Sequence, residues 1–324
     1  AIFFAAGVHA QAPPDDAAPG SEWGADDERG AANRLTPARV LEAARLIREG
    51  RIYELGRVYE AGMPLFPGRH YSLTIPGSPT GGPLGKNAIV YHDEMFSGQI
   101  GQVGTQFDAL GHVGTRVTYE DGTEKDVFYN GFTREEVLAP GGLKALGTEK
   151  AGPIITRGLL IDIAGFKGVA TLSSRHEVTI EDVQGALARQ GIDENDIQPG
   201  DAVLFNYGWA VNWNNPPKYN NADYDHPEND GSPGIGVAVA RWLADKKVSL
   251  VGADSCCVEV IPNPDKSLFH PVHQELITLH GIYMLENLNL RSLAGDEVYQ
   301  FAFIFNPLRL KGATWSPGRP LAIR

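Results

Sequence analysis

Two glutamines, an aspartate and a histidine are gathered in one glycine-rich run, Gly-Gln-Val-Gly-Thr-Gln-Phe-Asp-Ala-Leu-Gly-His, at residues 101–112. Gln102, Gln106 and Asp108 share one parity, and Val103 and Phe107 have the other. Side chains alternate faces in extended backbone, so the two amides and the carboxylate point one way while the apolar pair enters a core. Such a pattern mounts the polar groups of a small-ligand site on a strand. A straight strand would hold positions 102 and 106 roughly 13 Å apart, too far to share one small ligand, so the segment must bend. Gly104 supplies the permissive backbone, flanked by Gly101 and Gly111. A helix is disfavoured by the glycines and threonine, and it would rotate Asp108 away from Gln106.

The elements around this run follow from periodicity. From residue 158 onward the pattern alternates: a strand at 159–163, a helix capped by Thr179 and stopped at Gly191, a strand at 202–206, a helix at 236–245 and a strand at 248–253. Near-continuous apolar strands between helices predict an α/β sheet covered by helices. Upstream, Thr36-Pro37 reads as an N-cap and first-turn proline, with Val40, Leu41, Ala44 and Ile47 at helical spacing and Gly50 as stop. Residues 51–60 and 88–92 read as strands, the second leading toward the 101–112 run. His270-Pro271 opens a short helix to His280, ended by Gly281, before strands at 282–286 and 301–305. The tail at 312–323, with Pro317 and Pro320, reads as an irregular arm.

Two long connections interrupt the pattern. Residues 63–86 are dense in proline and glycine, contain Phe66, Arg69, His70 and Tyr71, and are a candidate lid. Residues 206–234 are rich in asparagine and carry Tyr207, Trp209, Trp213, Tyr219, Tyr224 and His226. Amphipathic aromatics suit a pocket wall. Phe66, His70, Tyr207, Trp209, Trp213 and His226 are therefore the candidate substrate contacts, and a flat, apolar molecule is the ligand they favour. The histidines at 92, 176, 270 and 280 show no partner spacing that singles them out.

Composition narrows the partners. The 324-residue chain is 42% hydrophobic, enough for a large core, and its net charge of −12 is scattered. A nucleic acid or an anionic membrane would need a basic face, so a small molecule is the expected partner. The apolar start at 1–12 ends Ala-Gln-Ala before Pro13-Pro14, which reads as a signal-peptide remnant and implies a periplasmic or secreted protein. Residues 1–22 would form that remnant and an N-terminal arm, and the remainder one large domain or two small ones. The two cysteines, Cys256 and Cys257, are adjacent and lack the spacing of a zinc knuckle or redox pair. They read as small buried residues.

Residues 102–112, Gln-Val-Gly-Thr-Gln-Phe-Asp-Ala-Leu-Gly-His, resemble the signature H-x-G-T-H-x-D-x-P-x-H of the cyclase family of metal-dependent hydrolases, which includes bacterial kynurenine formamidases and isatin hydrolases. Gly104, Thr105, Asp108 and His112 match; Gln102 and Gln106 stand where the signature has histidine, and Leu110 where it has proline. Glutamine at position 106 resembles a known branch of that family. Three further passages carry the resemblance: Trp23 to Pro37, the stretch from Val272 through Gly281 to Leu288, and Lys311 to Pro317. Together they span nearly the whole chain from residue 23, so the resemblance implies a single catalytic domain over 23–324.

The resemblance implies a swivelling β/β/α fold in a homodimer or homotetramer, and a divalent metal held at positions matching Gln102, Gln106 and Asp108. Gln274, with His273 as the alternative, and Glu286 would complete the site or hold a second ion. Amide oxygens in place of imidazoles favour Mn²⁺, with Zn²⁺ as the other candidate. A divalent metal can lower the pKa of bound water to about 7, which meets the need of amide or ester hydrolysis for a strong nucleophile. His112 would carry the proton, since an ordinary imidazole pKa of about 6.5 suits both directions. Glu286, among apolar residues on a predicted strand, needs a cation or strong donors if buried. His112 and Glu286 are thus the candidate catalytic pair. The expected activity is hydrolysis of a small amide or ester; a dehydratase or cyclase using the metal as Lewis acid, and a binding protein that has lost the metal centre, are the alternatives.

Overall fold

The computed structural model describes residues 19–220 and 231–324; the expected signal remnant and His226 lie outside the described residues. Its centre is one nine-stranded mixed sheet. The strands are β1 (Ile52–Glu54), β2 (Gln106–Asp108), β3 (Ile154–Asp162), β4 (Ala202–Asn206), β5 (Leu250–Ala253), β6 (Tyr283–Glu286), β7 (Gln300–Phe305), β8 (Trp315–Pro317) and β9 (Leu321–Ile323). Their spatial order is β1-β9-β7-β3-β4-β5-β6-β2-β8. The four central strands β3 to β6 run parallel, and antiparallel pairs extend the sheet on both sides.

The apolar runs explain that centre. Every residue of β4 and β5 is buried, as expected of parallel strands covered on both faces. Helix α1 (Pro37–Ala44) packs on β3, and α2 (Ile180–Arg189) packs on β3 and on α3 (Val237–Asp245). In α2 the Thr179 hydroxyl accepts from the Asp182 N–H, the cap anticipated from sequence, and Val183, Ala186 and Leu187 form its buried stripe. Among the described residues no helix is long and apolar enough to cross a membrane.

Four expectations are corrected. The N-terminal helix ends at Ala44, leaving Leu41 and Ile47 exposed, so its apolar spacing overstated its length. The strand expected over 51–60 is confined to Ile52–Glu54. The 88–92 segment does not lead into the sheet: Ile89–Tyr91 pairs with Gly81–Leu84, and Tyr71–Thr74 pairs with Met95–Gly98. The presumed lid is thereby a nested β-arm, held by backbone pairing that single-segment periodicity does not reveal. The tail is not irregular, since it supplies β8 and β9. Pro317 is tolerated because β8 is the sheet edge, where a missing N–H leaves no ladder bond unmade.

Candidate metal centre

Strand β2 is short because the chain bends before it. Gln102 and Gly104 both adopt positive φ, 61° and 56°, and a Cβ at Gly104 would lie 2.7 Å from the Tyr59 ring. Glycine is required there on both counts. Beyond the bend, Gln106 lies opposite Glu286 of β6, and Asp108 lies opposite Met284 and, on β8, Trp315. Directly opposed residues share a face, so Gln106, Asp108, Glu286 and Trp315 project together. Phe107 projects the other way and stacks on Tyr283 with ring centroids 4.8 Å apart. The parity read from sequence holds over the strand.

Two histidines close the cluster. His273 sits in the helical turn Pro271–His273, which continues into the wider π-helix Gln274–Leu279. Its Nδ1 is hydrogen-bonded to Glu259 Oε1, and its Nε2 lies 3.4 Å from Glu286 Oε1 and 3.7 Å from Asp108 Oδ2. Glu259 also faces His270 Nδ1 at 3.1 Å and accepts the backbone N–H groups of Val272 and His273. His112 places Nε2 3.9 Å from Asp108 Oδ2 and lays its ring on Trp315, centroids 4.4 Å apart. A Cβ at Gly101 would run into the Trp315 indole at 2.1 Å, so that glycine makes room for the ring.

The ligating atoms of Asp108, His112 and His273 lie within 4.8 Å of one another, as do those of Glu259, His270 and His273. Asp108 Oδ1, Asp108 Oδ2 and Glu286 Oε1 are buried without a hydrogen-bond donor among the described residues. Carboxylate oxygens are acceptors only, and buried ones without donors are costly. Asp108 Oδ2 faces the Nε2 atoms of both imidazoles and Glu286 Oε1 that of His273, an arrangement that fits a divalent cation.

Electrostatics agree. Burial and the Asp108 charge push Glu286 up to about 7, against the pull of His273 and Gln106. Burial opposes a charge on His273, but the surrounding carboxylates of Asp108, Glu259 and Glu286 raise it well above the ordinary imidazole range. Burial would also raise Glu259, yet His270 and His273 overcome it and hold the carboxyl down at about 2. His112 is lowered to about 4, chiefly by burial, with Asp108 opposing and His273, His270 and Arg69 adding to the shift. It is therefore a neutral imidazole near pH 7.

The glutamines need correction. Gln106 Oε1 accepts the backbone N–H groups of Gln102 and Val103, while its Nε2 donates to Glu286 Oε2 at 2.6 Å. The opposite amide orientation would set NH₂ against two N–H groups, so no oxygen is left for a metal. Gln106 is a strut. Gln102 lines the cavity, with Nε2 3.5 Å from Glu286 Oε2. Gln274 Nε2 donates to Thr115 Oγ1 at 2.6 Å, so His273, the alternative, is the residue that enters the cluster. The manganese preference rested on amide oxygens; imidazole and carboxylate donors suit Zn²⁺ as well.

The cluster opens through His112, His270 and His273 onto a cavity of about 520 Å³ whose wall includes Phe66, Arg69, Cys257, Phe269 and Trp315. Of the expected substrate contacts, Phe66 is placed there. His70 is exposed on the β-arm, its Nε2 3.1 Å from Ser97 Oγ. Tyr207, Trp209 and Trp213 belong to the core instead. The Tyr207 hydroxyl donates to the Val258 carbonyl and the Trp209 indole to the Tyr219 carbonyl, so their polar tips are satisfied internally. Glu259, His270, Arg69 and Trp315 escaped the sequence reading as site residues. Trp315 had a signal in its place in a family-like passage, and Arg69 in its place in the candidate lid.

The family model described as Putative cyclase matches residues 53–260. A solved structure described as a novel cyclase is 30% identical, with 94% of this chain and 98% of that chain covered and a TM-score of 0.78. Isatin hydrolase A from Ralstonia solanacearum is 20% identical over 89% of this chain and 97% of that one, TM-score 0.59. An isatin hydrolase bound to the product analogue thioisatinate is 17% identical over 89% and 98%, TM-score 0.60. These last two show a shared fold. Among curated proteins no match was found.

Proposed function

The chain belongs to the cyclase family and has its mixed α/β fold, and from that premise we propose that it is a divalent-metal-dependent hydrolase of a small, flat amide or ester. The observation that carries this reading is the set of three donorless buried carboxylate oxygens, on Asp108 and Glu286, facing the imidazoles of His273 and His112 at the floor of the cavity. Hydrolase names among the fold neighbours support it.

Asp108, His273 and Glu286 would hold the ion, with Glu259 fixing the His273 tautomer from behind. When bound, a divalent ion supplies Lewis acidity that brings the pKa of water toward about 7. Trp315 and Phe66 offer flat apolar surface to the body of the substrate. His112, kept neutral by burial and held on Trp315, accepts a proton at Nε2. Water adds its oxygen to the carbonyl carbon, the C–N or C–O bond breaks, and the proton taken by His112 passes to the leaving nitrogen or oxygen. The products are a carboxylic acid and an amine or alcohol, joined in one molecule if the substrate was cyclic.

Elemental analysis of the purified protein tests the centre, followed by turnover of lactams, anilides, aryl formamides and lactones with Mn²⁺ or Zn²⁺. The expected result is stoichiometric metal, lost in Asp108→Ala, with metal-dependent turnover. Failure to bind either ion overturns the reading. Metal binding with water elimination or addition in place of hydrolysis would make the enzyme a dehydratase or cyclase.

A further inference from the structure

Among the described residues, the cavity carries a cation with no carboxylate partner. Arg69 lines the wall, its guanidinium 5.7 Å from the centroid of the same Trp315 ring on which His112 rests. Its Nε is buried without a hydrogen-bond partner, and no carboxylate of the described residues pairs with it. The Nε atoms of Arg39 and Arg57 are likewise buried without a partner, but their guanidiniums are engaged through other nitrogens, Arg39 with Asp201, as is Arg157, and Arg57 with the Leu288 carbonyl, while no such bond holds Arg69 among the described residues. A guanidinium is always charged and presents a planar fork of donors that matches a carboxylate, so leaving it unsatisfied in a cavity is costly.

From this geometry we propose that Arg69 is the anion subsite of the cavity, and that the substrate carries a carboxylate on its flat body. The inference rests on the hydrolase reading for the word substrate, but the subsite itself does not. Asp108 and Glu286 are taken up by the imidazoles and the ion they would hold, and Glu259 by His270 and His273, so Arg69 is the lining group that attracts a carboxylate, beside Trp315. A molecule with one carboxylate and one amide or ester carbonyl is thereby oriented, carboxylate at Arg69 and scissile carbonyl toward His112. Selectivity follows: neutral analogues of the same shape lose the anchor.

The probes are benzoate and benzamide, equal in shape and different in charge, titrated against metal-loaded protein by calorimetry. Benzoate binds more tightly than benzamide to the wild type, and Arg69→Gln weakens benzoate at least tenfold while leaving benzamide and metal content unchanged. Arg69→Lys, which keeps the charge and loses the fork, falls between. Coordination of benzoate to the ion is separated by repeating the titration in Asp108→Ala, where the preference for benzoate persists. Equal binding of the two probes by the wild type, equal weakening of both in Arg69→Gln, or loss of the preference only in Asp108→Ala overturns the subsite. In turnover, the ratio of kcat/KM for 2-formamidobenzoate to that for formanilide falls at least tenfold in Arg69→Gln. Absence of any turnover with the benzoate preference intact would sink the hydrolase reading and leave the anion subsite standing.

Discussion

Gln106 stands directly opposite Glu286 across an antiparallel strand pair, and its Nε2 donates to Glu286 Oε2 at 2.6 Å. One oxygen of the glutamate is thus satisfied by protein, and the other, Oε1, is left facing His273 at 3.4 Å. The glutamine that looks like a lost ligand is what presents the carboxylate.

Gln106→Leu removes that donor and also the acceptor for the Gln102 and Val103 N–H groups. Buried polar groups left unpaired cost about 1–3 kcal/mol each. The expected loss is roughly 2–4 kcal/mol of unfolding free energy, measured by urea denaturation of metal-free protein. A change below about 0.5 kcal/mol would contradict the strut role.

Glu259 acts on the centre through His273. Partners of this kind hold the tautomer and ring orientation of a ligating histidine, and their loss typically weakens metal binding by about 10–100-fold. Glu259→Gln should show that loss in competition titrations with a chromogenic chelator, with the metal stoichiometry unchanged.

Without metal, His273 is held protonated by its three carboxylates and Glu286 is raised to about 7. Ligands must shed such protons to bind an ion. Affinity should therefore weaken as pH falls from 7 to 5, and calorimetry in buffers of different ionisation enthalpy should record proton release. Binding that is independent of pH would place the ion elsewhere.

His112 is assigned to proton transfer. His112→Gln should lower kcat by roughly 10²–10⁴ while the protein retains its metal, since general acid–base groups contribute on that scale. Burial holds its pKa toward 4, so the acid limb of the wild-type kcat/KM profile should fall below the ordinary imidazole value of about 6.5. Loss of metal in the variant would reassign the residue as a ligand.

Asp254 gives a stability signature away from the ion. Burial pushes its carboxyl up to about 6, offset in part by the N–H groups of Ala210 and Tyr207. A raised carboxyl binds its proton more tightly when folded, so its contribution is full below about pH 4 and is lost as pH rises through about 6. The window corresponds to roughly 3 kcal/mol. Compared with Asp254→Asn, the wild type should lose stability between pH 4 and 6.5 in denaturation series; parallel curves would show that Asp254 does not titrate there.

The parity of Gln106, Phe107 and Asp108, the need for a bend at Gly104, the apolar strands at 202–206 and 250–253 and the cap at Thr179 were all legible in the sequence, because each is a local consequence of backbone geometry and burial. The same locality explains why Glu286 stood out as a buried carboxylate in need of a partner. The identity of that partner was decided only by tertiary structure. Register between β2 and β6 turned Gln106 into a donor for Glu286, and the direction of the helical turn at Pro271 chose His273 over Gln274. Arg69 and Trp315 reached the cavity, and Glu259 the far side of His273, from three remote segments. The aromatics at 207 and 209 went to the core because backbone carbonyls there accept from their polar tips, and Trp213 went there with its ring under the Arg57 guanidinium. Which faces meet depends on sheet order and on the pairing of distant segments, and neither is encoded in the spacing of residues along one strand or helix.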